Sequence, residues 1–450
     1  MADAFETTAN VPRDRFDFEH VPETDQSFEN ALAKARDGVR LTVDDGVELL
    51  TTGTGFEGID PERKELVLEA ADRRRQEMVG DEVTFIANIN NNVTTACNTG
   101  CLFCNFKDRA ETFRSDYEGE HGGGFTKTPT ESEEIVRDAV ERGVYEVTSV
   151  SGLHPAFVLD EEHREILENA ETNHNYRPAS KYDEDPGTYV EQMEAMSAPG
   201  AHVHSMTPEE ADHAKRGTEW TYEDVYRKLH DAGLDTVPGT AAEILVEEVR
   251  DVICPDKVGT EGWVDAMEAA AEVGMNTTAT IMYGHVENEK HRVMHLKVLR
   301  DLQDRTGAIT EFVPLSFIHP DTPLHDQGMV DGGATRSEDE LMIAVGRLFL
   351  DNVEHVQSSW VKYGDAQGIK MLSCGADDFM GTILSEEITK RAGGDYGEFR
   401  SFEEYVDMIT AAGRVPVERS TDYTERRRID PEADVVGPEL GPEADGTPLL

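Results

Sequence analysis

Cysteine, basic charge and long apolar runs are all scarce in this 450-residue chain, and each scarcity excludes something. Five cysteines over that length cannot frame the disulfide-dense scaffold of a small secreted domain. No apolar run approaches the roughly 20 residues that cross a bilayer, so a membrane-spanning role is excluded. Basic residues number 42 against 92 acidic ones, a formal charge of −50. A surface of that sign is repelled by phosphate backbones and anionic lipid, which argues against nucleic-acid and membrane partners. The first residues lack the basic, apolar and small-residue order of a leader, so a cytoplasmic, reducing location is expected. A hydrophobic content of 38% and clear periodic segments exclude a fully disordered acidic chain. The excess acid fits a halophilic cytoplasm, where molar salt shortens the screening length to about 3 Å. The melting temperature is therefore expected to fall as molar salt is diluted; equal values in molar salt and dilute buffer would contradict this.

What is present concentrates in one loop, Ala96-Cys97-Asn98-Thr99-Gly100-Cys101-Leu102-Phe103-Cys104. Three residues separate the first two thiols, two separate the second pair, and an aromatic precedes the last. Three thiolates leave one iron of a 4Fe–4S cluster open to a small-molecule ligand, which four would not. This spacing is the signature of radical S-adenosylmethionine (SAM) enzymes. Zinc is the competing occupant, but zinc sites pair Cys-x-x-Cys with a second pair or with histidines downstream. The remaining cysteines, Cys254 and Cys374, stand alone and read as buried inert thiols.

Beyond an acidic, disordered arm over 1–26, helical patterns at 28–35, 43–50 and 61–78 form an N-terminal helical extension over 27–80. Strand-like runs follow at 83–89, 145–150, 202–206, 236–239, 277–283, 311–318, 356–363 and 371–374, with amphipathic helices between them. Caps are expected at Thr130, Thr207 and Ser337. Eight strands alternating with helices predict an α/β fold, a parallel (β/α)8 TIM-type barrel over 81–397; a doubly wound sheet would share the local alternation. A C-terminal helical segment over 398–428 and a disordered acidic tail over 429–450 complete the chain. In either fold the active site lies past the C-terminal ends of the strands, where the cysteine loop follows the first strand.

The other strand ends carry Gly152-Leu153-His154, His202-Val203-His204, the run 238–243 ending in Glu243, Tyr283-Gly284-His285 and His319. Glycine at 152 allows a close approach to backbone. His202 and His204 share one strand face; a hydrogen-bonded pair inside the barrel is preferred to a metal pair. The amides and hydroxyls of 88–95 are expected either to serve the cluster and a polar substrate or to make an ordinary turn.

With these residues in view, the chain resembles the CofH family, the tyrosine-using subunit of FO synthase in deazaflavin biosynthesis. The resemblance rests on Asn88-Ile89-Asn90 before the cysteines, Gly152-Leu153-His154-Pro155, the runs 238–245 and 278–285, Glu311-Phe312-Val313-Pro314-Leu315 and Gly375-Ala376-Asp377-Asp378. It implies a radical SAM barrel in which Cys97, Cys101 and Cys104 hold a 4Fe–4S cluster with an open iron for SAM. The implied reaction cleaves the Cα–Cβ bond of L-tyrosine and transfers the 4-hydroxybenzyl group to 5-amino-6-(D-ribitylamino)uracil. Implied partners are the other FO synthase radical SAM subunit (CofG type) and an electron donor such as ferredoxin or flavodoxin. Gly152 and Glu243 are candidate SAM contacts, Asn90, His202 and His204 candidate substrate contacts, and His154, His285 and Tyr283 candidate catalytic residues. The nearest alternative is a menaquinone-pathway radical SAM enzyme, an aminofutalosine synthase or dehypoxanthine futalosine cyclase. A non-catalytic zinc scaffold is the alternative from another class, and it would be colourless where a cluster protein is brown.

Overall fold

A computed structural model describes residues 27–55, 58–117, 124–172, 174–383 and 400–431. The acidic arm over 1–26 and residues 432–450 of the expected tail lie outside the described residues; the tail's start is ordered, with Ile429 buried and its N–H donating to Pro416 C=O at 2.9 Å. Three helices open the described chain: α1 (Phe28–Arg36), α2 (Val43–Leu50) and α3 (Pro61–Val79). Each starts as its sequence dictates. The Thr42 hydroxyl and the Asp45 carboxylate form a reciprocal capping box, and Pro61 occupies the first turn of α3 behind the Asp60 cap. α3 packs on the barrel helix Arg336–Phe349 and α2 on Glu289–Thr306, so the extension covers one flank.

The barrel strands are β1 (Glu82–Ile86), β2 (Asn88–Asn90), β5 (Glu146–Ser149), β6 (His202–Ser205), β7 (Thr236–Val237), β8 (Asn276–Tyr283), β9 (Ile309–Ser316), β10 (His355–Val356) and β11 (Asp378–Gly381). Between them β3 (Ala96–Cys97) and β4 (Asp108–Arg109) form a two-residue ladder in the cysteine loop. β2 to β10 pair in parallel in the order 10-9-8-7-6-5-2. β10 reaches β11 through the parallel bridge Gln357–Asp378. β11 pairs with β1, which runs on through Ala87 into β2. The sheet therefore closes around one axis, the (β/α)8 arrangement. Its inner and outer faces are both covered, as parallel strands require: Val147, Val203, Ala279, Ile281 and Phe312 are all fully buried.

Three expectations change. The single strand expected over 83–89 is bent at Ala87 and serves two sheets. Residues 360–363 are helical and 371–374 end a helix, so the last strand lies at Asp378–Gly381 instead; an apolar run cannot by itself tell a buried helix from a strand. Among the described residues of the segment expected to be helical over 398–428, only Phe402–Ala411 is helical. After the helix Phe402–Ala411, β12 (Val415–Arg419) lies parallel to β1 and turns back into β13 (Arg426–Arg428). Two helix caps also move by two residues, from Thr130 to Thr128 and from Ser337 to Thr335. In both, glutamate three residues on completes the box, and at the first Pro129 fills the position after the cap.

The β12–β13 hairpin plugs the N-terminal floor of the barrel. Arg419 donates to Asp378 (2.6 Å) and Glu311 (3.3 Å), Tyr423 to Glu311 (2.7 Å) and Thr421 to Glu146 (2.6 Å). All three carboxylates are buried at the starts of their strands.

Candidate active site

Cys97, Cys101 and Cys104 line a single cavity of about 240 Å³ at the C-terminal mouth of the barrel. None of them is in a disulfide. The loop that carries them is pinned from both sides: Leu102 N–H donates to Ile253 C=O (2.8 Å), Leu324 N–H to Leu102 C=O (2.9 Å), and the Lys107 ammonium to the carbonyl of Cys101 (3.0 Å). Thr99 N–H donates to the Cys97 sulfur at 3.5 Å. Burial pushes the Cys101 and Cys104 thiols up from their usual range. Three soft donors on the lining of one cavity fit an iron–sulfur cluster.

Gly152 explains how the loop is seated. A Cβ at this position would lie 2.6 Å from the Ala96 carbonyl oxygen and 3.1 Å from that of Thr94, and Gly152 N–H donates to Thr94 C=O at 2.8 Å. The close approach that glycine permits is to the backbone leading into Cys97. Gly152→Ala is expected to displace this loop, so that anaerobic reconstitution yields well under the wild-type iron content. Iron loading unchanged in a folded G152A protein would contradict the packing argument.

Facing the cysteines is a charged group that sequence reading found only in part. Glu243 lines the cavity and accepts from Lys257 at 2.7 Å. The Lys257 ammonium is kept charged against its burial by the carboxylates of Glu243 and Glu209. Both ends of this pair are built by Arg250, a buried guanidinium that donates to the carbonyls of Ala242 and Val258. Ala241 and Glu243 hold left-handed backbone, at φ 73° and 45°, a conformation that persists only where the surroundings impose it. Met282 N–H donating to Glu243 C=O (2.7 Å) completes that constraint.

Glu210 is a second missed wall residue. Its carboxylate accepts from Thr207 and from Ser151 N–H (3.2 Å), yet burial pushes its pKa up to about 7. A glutamate three residues after a threonine cap is an ordinary helix-start signal, which hid it in the sequence. Phe103, Phe106, Met282, Leu315 and Phe317 supply the apolar wall.

The other expected contacts lie elsewhere. His202 and His204 begin β6 and meet at the Thr236 hydroxyl (2.9 and 2.8 Å), with Glu146 beside His204. That is the floor end, and the expectation that they face the mouth is corrected: the mouth begins past Ser205, at Thr207. His285 is buried, with Nε2 at Met282 C=O (3.1 Å) and Nδ1 3.0 Å from the Glu287 carboxylate without a hydrogen bond to it. Tyr283 donates to Asp339 at 2.7 Å. His154 packs edge-on to Tyr182 and Phe157 and takes the Ala156 N–H. None of these three, nor Asn90, lines the cysteine cavity. The amides and hydroxyls around Asn90 tie strands together: Asn88 bonds Glu146 and Ile383, and Thr94 bonds Thr126.

A closed parallel barrel with three thiols at its C-terminal mouth defines a radical SAM enzyme, and the radical SAM superfamily model matches residues 91–299. A second model, the CofH/MqnC C-terminal region, matches residues 306–432. The 5-amino-6-(D-ribitylamino)uracil–L-tyrosine 4-hydroxyphenyl transferase of Haloarcula marismortui is 73% identical over 98% of each chain. That of Halobacterium salinarum is 70% identical over 96% of each, and that of Methanospirillum hungatei 38% identical over 87% of this chain and 96% of its own. The chain belongs to this transferase family. Among solved structures, methylornithine synthase (PylB) superposes with a TM-score of 0.59 at 17% identity, covering 86% of this chain and 97% of that one. The maturase HydG from Carboxydothermus hydrogenoformans gives 0.59 at 13% identity, covering 88% and 81%; both likenesses speak to the fold alone. Among the described residues no helix is long and apolar enough to cross a membrane.

Proposed function

We infer that this chain is a radical SAM transferase that cleaves the Cα–Cβ bond of L-tyrosine and transfers the 4-hydroxybenzyl group to 5-amino-6-(D-ribitylamino)uracil. 2-Iminoacetate, 5′-deoxyadenosine and methionine are released. The observation that carries this reading is the convergence of Cys97, Cys101 and Cys104 on one cavity in a chain whose relatives of that name match it nearly end to end.

Cys97, Cys101 and Cys104 would hold a 4Fe–4S cluster, which when bound supplies the electron that splits SAM into methionine and a 5′-deoxyadenosyl radical. Glu243 and Lys257 offer opposite charges side by side, matching the ammonium and carboxylate of an amino-acid moiety such as that of SAM. Gly152 seats the loop and also lines the cavity, where it is a candidate SAM contact with Glu243. The aromatic and aliphatic wall keeps water from a primary alkyl radical, and the plugged floor closes the far end. Glu210, poised near neutrality on the cavity wall, is the group suited to take up a proton there. The activity belongs to a reducing cytoplasm, with a ferredoxin or flavodoxin as electron donor and a CofG-type radical SAM subunit closing the ring to FO.

Anaerobically reconstituted protein given SAM, dithionite, tyrosine and the ribitylaminouracil should form 5′-deoxyadenosine and the benzylated uracil in step. If only a futalosine-type substrate elicits 5′-deoxyadenosine, the substrate assignment fails.

A further inference from the structure

A second cavity, of about 550 Å³, lies against the cysteine loop. Thr99, Leu153 and Glu209 line it together with the cysteine cavity, so the two spaces share a wall. Their linings contrast. The second has Asn98, Asn175, Asp212, Arg216 and Asp256 where the first has aromatic and aliphatic side chains.

Size separates the reactants. A drug-sized ligand occupies a pocket of roughly 300–1,000 Å³. The cysteine cavity, at about 240 Å³, cannot take SAM, tyrosine and the pyrimidine whole. Polarity then sorts them. The phenol ring of tyrosine and the adenosyl group suit the apolar wall, and the charged amino-acid ends suit Glu243 and Lys257. A ribityl chain is different: it is uncharged and carries hydroxyls that each both donate and accept. It calls for alternating carboxylates and N–H donors, as the second cavity supplies.

The polar groups there are held in place without a ligand. Asp212 accepts from Tyr222 at 2.8 Å. Arg216 donates to His213 C=O at 2.6 Å and to Phe157 C=O at 2.5 Å, while its Nε is buried without a hydrogen-bond partner. Tyr189, hydrogen-bonded to His213 at 2.9 Å, braces the same helix.

We propose that this second cavity seats the ribityl chain of the pyrimidine substrate, with the ring reaching the cysteine cavity past Thr99, Leu153 and Glu209. The proposal rests on the transferase reading and names where its second substrate is recognised.

The test compares 5-amino-6-(D-ribitylamino)uracil with 5,6-diaminouracil, which lacks the polyol, on cluster-loaded wild type, Asp212→Asn and Asp256→Asn. Wild type should show a clearly lower KM for the ribityl compound. At least one variant should raise that KM about tenfold, as for one lost hydrogen bond to a charged group. Its KM for diaminouracil, tyrosine and SAM should stay as in wild type, with iron content unchanged. Equal ribityl preference in wild type and both variants would overturn the proposal, as would a parallel rise in the KM for tyrosine or SAM. Wild type that turns over neither uracil with tyrosine would instead sink the transferase reading, and this proposal with it.

Discussion

Cys101→Ser abolishes iron loading and tyrosine-dependent 5′-deoxyadenosine formation together, leaving the fold in place. Cys101 is the most buried of the three thiols, 7% exposed, and its loop is pinned by hydrogen bonds that do not involve sulfur. The serine hydroxyl therefore sits where the thiol sat, without the soft donor that iron–sulfur chemistry requires. Iron per chain after reconstitution, the brown absorbance and 5′-deoxyadenosine yield should all drop to near background, while the melting temperature of the iron-free protein stays near that of the iron-free wild type. A C101S protein that loads iron fully and still cleaves tyrosine would defeat the assignment of the site.

Arg419→Ala has the opposite profile, a large loss of stability with the chemistry spared. Arg419 is the buried cation between Asp378 and Glu311, and Glu146 is one hydrogen bond away through Thr421. Its removal leaves carboxylates buried without their counter-charge. Breaking a buried pair in this way typically costs about 3–5 kcal/mol. Burial already pushes Glu311 up to about 7 even with Arg419 present. Chemical denaturation in molar salt should report a loss of that order, and adding Glu311→Gln to Arg419→Ala should recover part of it. Because the network sits at the opposite end of the strands from the cysteines, 5′-deoxyadenosine formed per folded molecule should match wild type. A stable R419A protein would mean that the floor network contributes little.

The cysteine loop, the barrel and the N-terminal helices were legible because each has a local signal: a fixed spacing, an alternation of periods, a cap with its glutamate. α1, α2 and α3 fall within a residue or two of the expected ranges. The histidines misled because strand-end position alone does not say which end of the barrel a residue occupies. His202 opens its strand, whereas Glu209 and Glu210 lie just beyond its far end. Lys257 gave no signal; it reaches the site from a loop more than a dozen residues after Glu243, brought there by Arg250. The pair Asp377-Asp378, part of the family resemblance, is structural: Asp377 neutralises buried Arg347 beside His355, and Asp378 neutralises Arg419. β12 was missed because a short strand pairing with a partner over 300 residues earlier leaves no periodic trace.

The distance from β1 to β12 orders the assembly of the molecule. Residues 82–86 form one of the first strands to leave the ribosome, and the strand laid along them is 415–419. Until that segment emerges, one edge of the early sheet offers unpaired backbone groups to any neighbouring chain, and the acids beneath it await their guanidinium. The basal closure is thus among the last events of synthesis, and contacts so remote in sequence form slowly. A nascent chain stalled near residue 383 would hold its cysteine loop complete over an unfinished base, a species that cells would need to shelter from aggregation and from premature encounter with iron.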